Sequence, residues 1–187
     1  KYYAKALGSA ATIILINKAA EVPEGKVLLV VEDPFTTYND LVWRYRPWQP
    51  LQKNIASSAL IGEGTTIEPG AVIGEQAVIG KNCYIQANAY IGDHSVLGDD
   101  VIVQAGAVIG SDAFYFKKTS AGFHKWRSGG RVVLEDGVDI GANCTINRGV
   151  SSDTIIGAGS KLDCQVQIGH DTKIGKKCLF AAQVGIA

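Results

Sequence analysis

Aliphatic residues recur at every sixth position between Ile55 and Phe114. This stretch divides into ten consecutive six-residue units, and each unit opens with Ile, Leu or Val. The fifth place of each unit is small in most cases: Ala59, Thr65, Ala71, Ala77, Cys83, Ala89, Ser95, Val101, Ala107 and Ala113. An α-helix repeats every 3.6 residues, so this period argues against a helical structure.

A period of six predicts a left-handed parallel β-helix, also called a hexapeptide solenoid. Each unit supplies one short strand and one turn, and three units close a triangular coil. The aliphatic first place fills the axis, and the fifth place is small because the chain bends beside it. Successive coils stack as parallel strands about 4.8 Å apart. The repeat therefore predicts a mainly β fold over residues 51–187 and disfavours a helical bundle or a β-sandwich.

The register fails over an insertion at residues 111–131, which is rich in aromatic and basic residues. An insertion in a coil must leave the solenoid as a loop, and loops on rigid scaffolds often carry binding surfaces. Two interpretations stay open: a binding loop, or a hairpin whose aromatic side chains pack on their own coil. Units resume at Leu134, pause for four extra residues around Ser151 to Thr154, and continue to Ile186, which gives about six coils.

Residues 1–50 lack the six-residue period and predict a partial α/β domain followed by a linker. Two apolar segments, residues 11–16 and 26–32, indicate buried strands separated by a turn at residues 23–25. Asp33 and Pro34 are typical of a helix start, and we expect a helix from there to about Tyr45. The chain contains no Met and ends at Ala187, inside a unit. We therefore expect the protein to extend beyond both ends, with its C-terminal part missing here.

The composition disfavours some classes of function and indicates a cellular location. The 18 basic and 18 acidic residues cancel, so nothing in the overall charge predicts binding to nucleic acid. No apolar run is long enough to predict an integral membrane span. Cys83, Cys144 and Cys178 occupy the small fifth place and should point inward, which leaves Cys164 as the exception. With no Cys-x-x-Cys pair, the reduced cytoplasm is the expected location.

Three histidines are available for chemistry. Their spacings, 30 and 46 residues, do not fit the pair five residues apart that zinc-dependent solenoids need, so we expect no metal site. His94 falls at an outward fourth place and His124 lies in the insertion. His170 stands at the third place of its unit, a corner that faces a neighbouring subunit if the solenoid forms a trimer. A neutral imidazole there is a candidate general base for acyl transfer.

Counting units adds Arg148 to this corner. If the four extra residues at 151–154 do not count as a unit of the repeat, Arg148 lies directly beneath His170 in the stack of coils. We expect it either to hold an anionic part of a substrate or carrier, or to form a surface ion pair.

Residues 129–187 resemble the UDP-3-O-acylglucosamine N-acyltransferases of lipid A biosynthesis, and INRG, DTIIG and QVQIGH are the most specific segments. The resemblance covers nearly the whole chain. It implies a homotrimer that transfers a 3-hydroxyacyl group from acyl carrier protein to the 2-amino group of a UDP-linked, 3-O-acylated glucosamine. It implies no cofactor, because the carrier thioester is the acyl donor.

The resemblance also implies roles for individual residues. His170 aligns with the general base, and Asp163 and Gln167 align with residues near the acceptor or the carrier's pantetheine arm. The opening Lys-Tyr resembles the end of the uridine motif, which makes Tyr2 the expected uracil-stacking residue. Cys164 stands where the family has Asn, so the resemblance does not extend to that substrate contact. The solenoid before the insertion is also about 24 residues shorter than in better-known members.

Two other functions stay open at this point. One is an acyltransferase of the same scaffold that acts on a different nucleotide sugar, which residues after Ala187 would distinguish. The other is a non-catalytic hexapeptide-repeat scaffold, which an insertion that obstructs His170 would favour.

Overall fold

The computed structural model describes residues 2–187, and side chains from residue 3 onward. It divides into two compact units, Lys1–Trp48 and Gln49–Ala187. Among the described residues, no helix is both long enough and apolar enough to cross a membrane.

The first unit is a small α/β unit. Its elements are helix α1 Tyr2–Leu7, strand β1 Ile13–Ile16, strand β2 Val27–Val30 and helix α2 Pro34–Tyr45. β1 and β2 pair in parallel, and Lys26 donates its backbone N–H to the Pro23 carbonyl in the turn before β2. Asp33 caps α2: its carboxylate accepts the Phe35 N–H at 3.1 Å. The predicted strands, turn and helix are confirmed, whereas α1 was not predicted.

The expectation that both strands are buried is wrong for β2. Ile14 and Ile16 of β1 are buried, but Val27 and Val30 of β2 are 53% and 58% exposed. Both helices contact β1, which lies beneath them, and β2 forms the open edge of a two-stranded sheet. An apolar segment predicts that a strand forms, but it does not predict whether another element covers that strand.

The second unit is a solenoid of three parallel sheets with six strands each. The first sheet contains β4 Thr66–Ile67, β7 Tyr84–Ile85, β10 Ile102–Val103, β15 Asp139–Ile140, β18 Lys161–Leu162 and β21 Leu179–Phe180. The second contains β5 Val72–Ile73, β8 Tyr90–Ile91, β11 Val108–Ser111, β16 Thr145–Asn147, β19 Gln167–Ile168 and β22 Gly185–Ile186. The third contains β3 Leu60–Ile61, β6 Val78–Ile79, β9 Val96–Leu97, β14 Val132–Leu134, β17 Thr154–Ile156 and β20 Lys173–Ile174.

The first place of the repeat builds the core. In the second sheet, Ile91, Ile109, Ile146 and Ile168 stack in register through successive coils, and each is fully buried. Burial of one such side chain stabilises the fold by about 1.5–3 kcal/mol relative to exposure. The predicted fold class, a mainly β hexapeptide solenoid, is confirmed.

The fourth place of the repeat turns each corner in the left-handed backbone region. Ten non-glycine residues adopt a positive φ there, between 53° and 63°, and they include Asn143 and Asp171. This conformation favours Gly, Asn and Asp, which explains why short polar residues recur at the place after the outward third position.

Every departure from the repeat lies at one corner, between the second and third sheets, which we call the insertion corner. The insertion follows β11 there and contains the antiparallel hairpin β12 Phe116–Thr119 and β13 Gly122–Lys125. The second irregular segment, residues 149–153, leaves the same corner between β16 and β17 and is called the extension loop. His170 follows β19 at this corner too, so the fold gathers the irregular segments around it.

Candidate active site

His170 lies at the surface of the insertion corner and not in the core. Its side chain is 30% exposed, and its Nδ1 lies 2.7 Å from Oδ2 of Asp171. An ionised carboxylate only accepts hydrogen bonds, so the Nδ1 that faces it carries the proton. Nε2 is then the acceptor nitrogen. This is the tautomer that a general base needs.

Asp171 joins the histidine to the extension loop. Its carboxylate accepts backbone N–H groups from Val150 at 3.0 Å and Ser152 at 2.7 Å, and the Ser152 hydroxyl at 2.8 Å. Burial alone would raise the pKa of Asp171, but the hydrogen bonds from His170, Val150 and Ser152 hold that pKa below its usual value. Asp171 therefore stays ionised, which fixes the orientation of the imidazole.

The extension loop is tightly packed against the end of the insertion. A Cβ atom on Gly149 would lie 1.7 Å from the Ser152 carbonyl oxygen, so only glycine fits there. The Arg131 guanidinium binds Asp153 through Nη2 at 2.8 Å and Nε at 3.2 Å. These contacts connect the insertion to the loop that Asp171 holds.

The start of the insertion covers one side of His170. The Tyr115 ring centroid lies 5.1 Å from the imidazole centroid, and the two planes are inclined at 59°. Tyr115 in turn contacts the Trp126 ring at 5.9 Å and accepts the Trp126 backbone N–H at 3.0 Å. The insertion contains a hairpin, but three of its aromatic rings stay exposed, those of Phe114, Phe116 and Phe123. Tyr115 contacts His170 two coils away along the second sheet. The structure therefore does not show these rings packed on their own coil, and a binding loop stays a prediction.

Arg148 lies directly beneath His170, as unit counting predicted. Ile146 pairs with Ile168, which places the two third positions on adjacent coils. The guanidinium points to the insertion, however, where Nε donates to Asp112 at 2.9 Å, and Lys125 binds the other oxygen of that carboxylate at 2.6 Å. Burial would raise the pKa of Asp112, but Lys125 and Arg148 hold it below its usual value. Arg148 thus forms an ion pair, and its predicted contact with substrate stays a prediction.

Gln167 is the first residue of β19, whereas Asp163 directly follows β18. Gln167 donates to Asn147 Oδ1 at 2.7 Å, and Asn147 donates to the Ser111 hydroxyl at 2.9 Å, so Gln167 belongs to a polar chain that leads into the insertion corner. Asp163 lies at the preceding corner, where its carboxylate accepts the Cys164 N–H at 2.7 Å. Asp163 and His170 are seven positions apart, about one side of the triangle, so they lie at different corners.

Comparison with known proteins finds relatives with the same repeat. The bacterial transferase hexapeptide family (six repeats) matches residues 58–93 and 76–111. UDP-3-O-acylglucosamine N-acyltransferase of Granulibacter bethesdensis is 47% identical over 95% of this chain and 59% of its own length. The chain is a homologue of the UDP-3-O-acylglucosamine N-acyltransferases. It spans about three fifths of that relative.

Further matches are shorter or more distant. The N-acyltransferase of the same name from Methylobacterium nodulans is 51% identical over 41% of this chain and 22% of its own length. Among solved structures, the UDP-N-acetylglucosamine acyltransferase of Francisella novicida matches 65% of this chain and 45% of its own, with 31% identity and a TM-score of 0.49.

The expected uridine contact lies outside the described residues, because the structure describes no side chain for Tyr2. The first unit does contain a small cavity of about 180 Å³, lined by Tyr3, Ala6, Ile14, Leu15, Ile16, Asn17 and Pro34. Binding of uridine in residues 1–50 of this N-acyltransferase homologue stays a prediction.

The cysteines lie where the repeat predicts, with one correction. All four are free thiols, and Cys83 and Cys144 are buried, which raises the pKa of both. Cys178 was expected to be a core thiol, but it is only half-buried, because it lies in the last described coil with nothing stacked above it. In the part of the chain that the structure describes, no three His, Cys, Asp or Glu side chains gather as they would around a metal ion.

Sequence reasoning missed three contributors to this site. Asp171 follows His170 at the fourth place of its unit, and the repeat alone does not show that its carboxylate accepts hydrogen bonds from the extension loop. Tyr115 and Asp112 were hidden in the insertion, where no repeat gives the register. The sequence indicates these two residues only indirectly. Asp112 and Tyr115 lie just after the point where the repeat is interrupted, at the same corner of the solenoid as His170.

Proposed function

We propose that this chain carries the catalytic solenoid of an N-acyltransferase that moves a 3-hydroxyacyl group from acyl carrier protein to the 2-amino group of UDP-3-O-acylglucosamine, in lipid A biosynthesis. One observation carries the proposal. A partly exposed imidazole is hydrogen-bonded to an ionised carboxylate, in a chain whose relatives bear that enzyme's name.

The His170–Asp171 pair supplies the proton transfer. Nε2 of His170 takes a proton from the acceptor amine as the amine nitrogen bonds to the thioester carbonyl carbon. The C–S bond then breaks, and the imidazolium returns the proton to the departing thiolate. The products are an amide and a thiol, with no net gain of protons. Asp171 stabilises the imidazolium while it exists.

The remaining parts of the reaction lie beyond the described contacts. We expect a backbone N–H of a following coil to stabilise the oxyanion, a contact worth about 3–4 kcal/mol in other acyl-transfer enzymes. A homotrimer would place the insertion corner of one copy against the next, and the four free thiols fit a reducing cytoplasm.

Mass spectrometry of the products tests the function. The full chain is incubated with a 3-hydroxyacyl carrier protein and UDP-3-O-acylglucosamine, and we expect the sugar nucleotide to gain one 3-hydroxyacyl group. UDP-N-acetylglucosamine is the matched control, because its nitrogen is already acylated while its 3-hydroxyl is free. Acylation of the control in preference to the amine substrate would contradict N-transfer and indicate another nucleotide-sugar acyltransferase.

A non-catalytic scaffold is the second candidate, and one observation bears on it. Tyr115 packs against His170, as an obstructing insertion would. It nevertheless leaves nearly a third of the imidazole side chain exposed, so a substrate amine can reach the ring. A scaffold would bind the UDP-sugar without forming product in the same assay.

A further inference from the structure

The imidazole of His170 has one hydrogen-bonded edge and one packed side. Its Nδ1 lies 2.7 Å from Oδ2 of Asp171, and the Tyr115 ring lies against it with 5.1 Å between the centroids and 59° between the planes. Aromatic rings commonly pack in tilted geometries at centroid distances of about 4.5–7 Å. The imidazole is therefore held by two contacts that restrain different motions.

The hydrogen bond to Asp171 does not fix the whole imidazole ring. It holds Nδ1, but the ring can still tilt about that contact, because the χ2 torsion of histidine has a broad energy minimum. Such a tilt moves Nε2, which must come within about 2.6–3.2 Å of the atom whose proton it takes. A side chain that packs against the ring limits this motion, and Tyr115 occupies that position.

Tyr115 is itself held at the base of the hairpin. It directly precedes β12, and Trp126 directly follows β13, so the two residues extend the strand pairing by one step. The Trp126 N–H donates to the Tyr115 carbonyl at 3.0 Å, and the two rings lie 5.9 Å apart. The hairpin therefore presents the Tyr115 ring to His170 from a paired backbone.

We infer that Tyr115 is a positioning residue, whose ring limits the tilt of the His170 imidazole and so directs Nε2 at the acceptor amine. This inference rests on the proposed function and adds a residue of the insertion to it. Asp171 selects the tautomer of the imidazole, and Tyr115 restrains its plane. Because Tyr115 covers one side of the ring, the amine reaches the imidazole from the uncovered side.

Steady-state kinetics of Tyr115 variants tests this role. Tyr115 is 45% exposed, so its variants should fold. In Y115A, we expect kcat for acyl transfer to fall about 10- to 100-fold with KM little changed, because small misplacements of reacting groups are costly. Y115F keeps the ring that contacts His170 and should retain most of the wild-type kcat. F123A is the matched control, because it removes a ring of the same insertion that is 73% exposed on β13.

Four kinetic results would overturn the inference. One is a wild-type kcat in Y115A. A second is a rise in KM at constant kcat, which would make Tyr115 a substrate-binding residue. A third is a Y115F variant as slow as Y115A, which would assign the effect to the hydroxyl. The fourth is an equal loss in F123A, which would indicate a general disturbance of the insertion.

Nuclear magnetic resonance of the imidazole tests the inference without turnover. The chain has three histidines, so comparison with H170A identifies the ring signals of His170. Relaxation of these signals reports the motion of the ring on the picosecond to nanosecond timescale. We expect the ring to become more mobile in Y115A and to keep its wild-type order in Y115F and F123A.

The two measurements keep this inference separate from the proposed function. If the wild-type chain acylates no acceptor, the proposed function fails, but the relaxation data still decide whether Tyr115 restrains the imidazole. Equal mobility of the His170 ring in Y115A and wild type would overturn the positioning role, whether or not the chain is active.

Discussion

At the scale of single residues, Asp171 connects folding and chemistry. Its carboxylate orients His170 and also holds the backbone of the extension loop. The position of His170 at an exposed corner, and the inward thiols of Cys83 and Cys144, could be predicted from the repeat, because place within a unit fixes direction. The partners of His170 could not be predicted, because Tyr115 and the extension loop belong to segments where the repeat is interrupted.

We predict that D171N slows acyl transfer more than it weakens binding. The amide oxygen can still accept from Nδ1, but the charge that stabilises the imidazolium is lost. We expect kcat to fall about 10- to 100-fold with KM little changed, a smaller loss than the roughly 10²- to 10⁴-fold that removal of a general base causes. Steady-state kinetics checks the split. A rise in KM at constant kcat would instead make Asp171 a substrate-binding or purely structural residue.

Stability should fall in acid, in part through Asp171. Its folded-state pKa lies below the ordinary value of 3.8, so the unfolded chain takes up the proton more readily. The stabilisation is therefore complete above the ordinary value and is lost as the pH falls through the folded-state pKa. We expect urea unfolding from about pH 6 to about pH 2 to show a smaller loss of stability in D171N than in wild type. Parallel curves for the two proteins would contradict this linkage.

At the scale of elements, the insertion and the extension loop behave as one packed assembly. Gly129 and Gly130 donate backbone N–H groups to the carbonyls of Val150 and Gly149, and Arg131 binds Asp153. The short strands of the solenoid could be predicted one by one, because the period is local. The hairpin could be named only as one of two interpretations, because its strands have four residues each and Ser120 and Ala121 give no characteristic turn signal.

We predict that G149A disrupts this assembly. The new Cβ would overlap the Ser152 carbonyl oxygen, so the loop must shift away from Asp171. Overpacking of this kind costs about 1–3 kcal/mol. Urea unfolding measures the loss, and G185A is the matched control, because no atom lies within 4 Å of the Cβ it would add. Equal stability of the two variants would contradict the tight packing.

At the scale of the whole molecule, the solenoid extends by repetition, and each coil is covered by the next. Ile109, in a middle coil, is fully buried, whereas Ile174, in the last coil, is only half-buried. The repeat therefore predicted the architecture, the number of coils and the core. It could not show that β2 of the first unit is an exposed edge, because exposure depends on which elements cover a strand.

The place of a residue within its unit should set the cost of a substitution. We expect I109A to destabilise the chain by about 2–5 kcal/mol, since it leaves a cavity between two covering coils. I102A, in a middle coil as well, should cost less, because Ile102 is only half-buried. Urea unfolding of both variants compares them. A larger loss for I102A would contradict the stacked-coil account.

The oligomeric state tests the expected arrangement of copies. If the insertion corner of one copy faces another, the chain should form a trimer in solution. Light scattering should then give three times the mass of one chain, and the mass of a single chain would contradict a corner shared between copies.

The rate of acyl transfer by H170A tests the central claim most directly. Product formation is followed by mass spectrometry with UDP-3-O-acylglucosamine and a 3-hydroxyacyl carrier protein, and H124Q serves as the matched control because His124 is exposed on the hairpin. We predict that H170A loses about 10²- to 10⁴-fold in rate while its circular dichroism spectrum and oligomeric mass match those of wild type. Turnover by H170A at the wild-type rate would contradict the assignment of this imidazole as the general base.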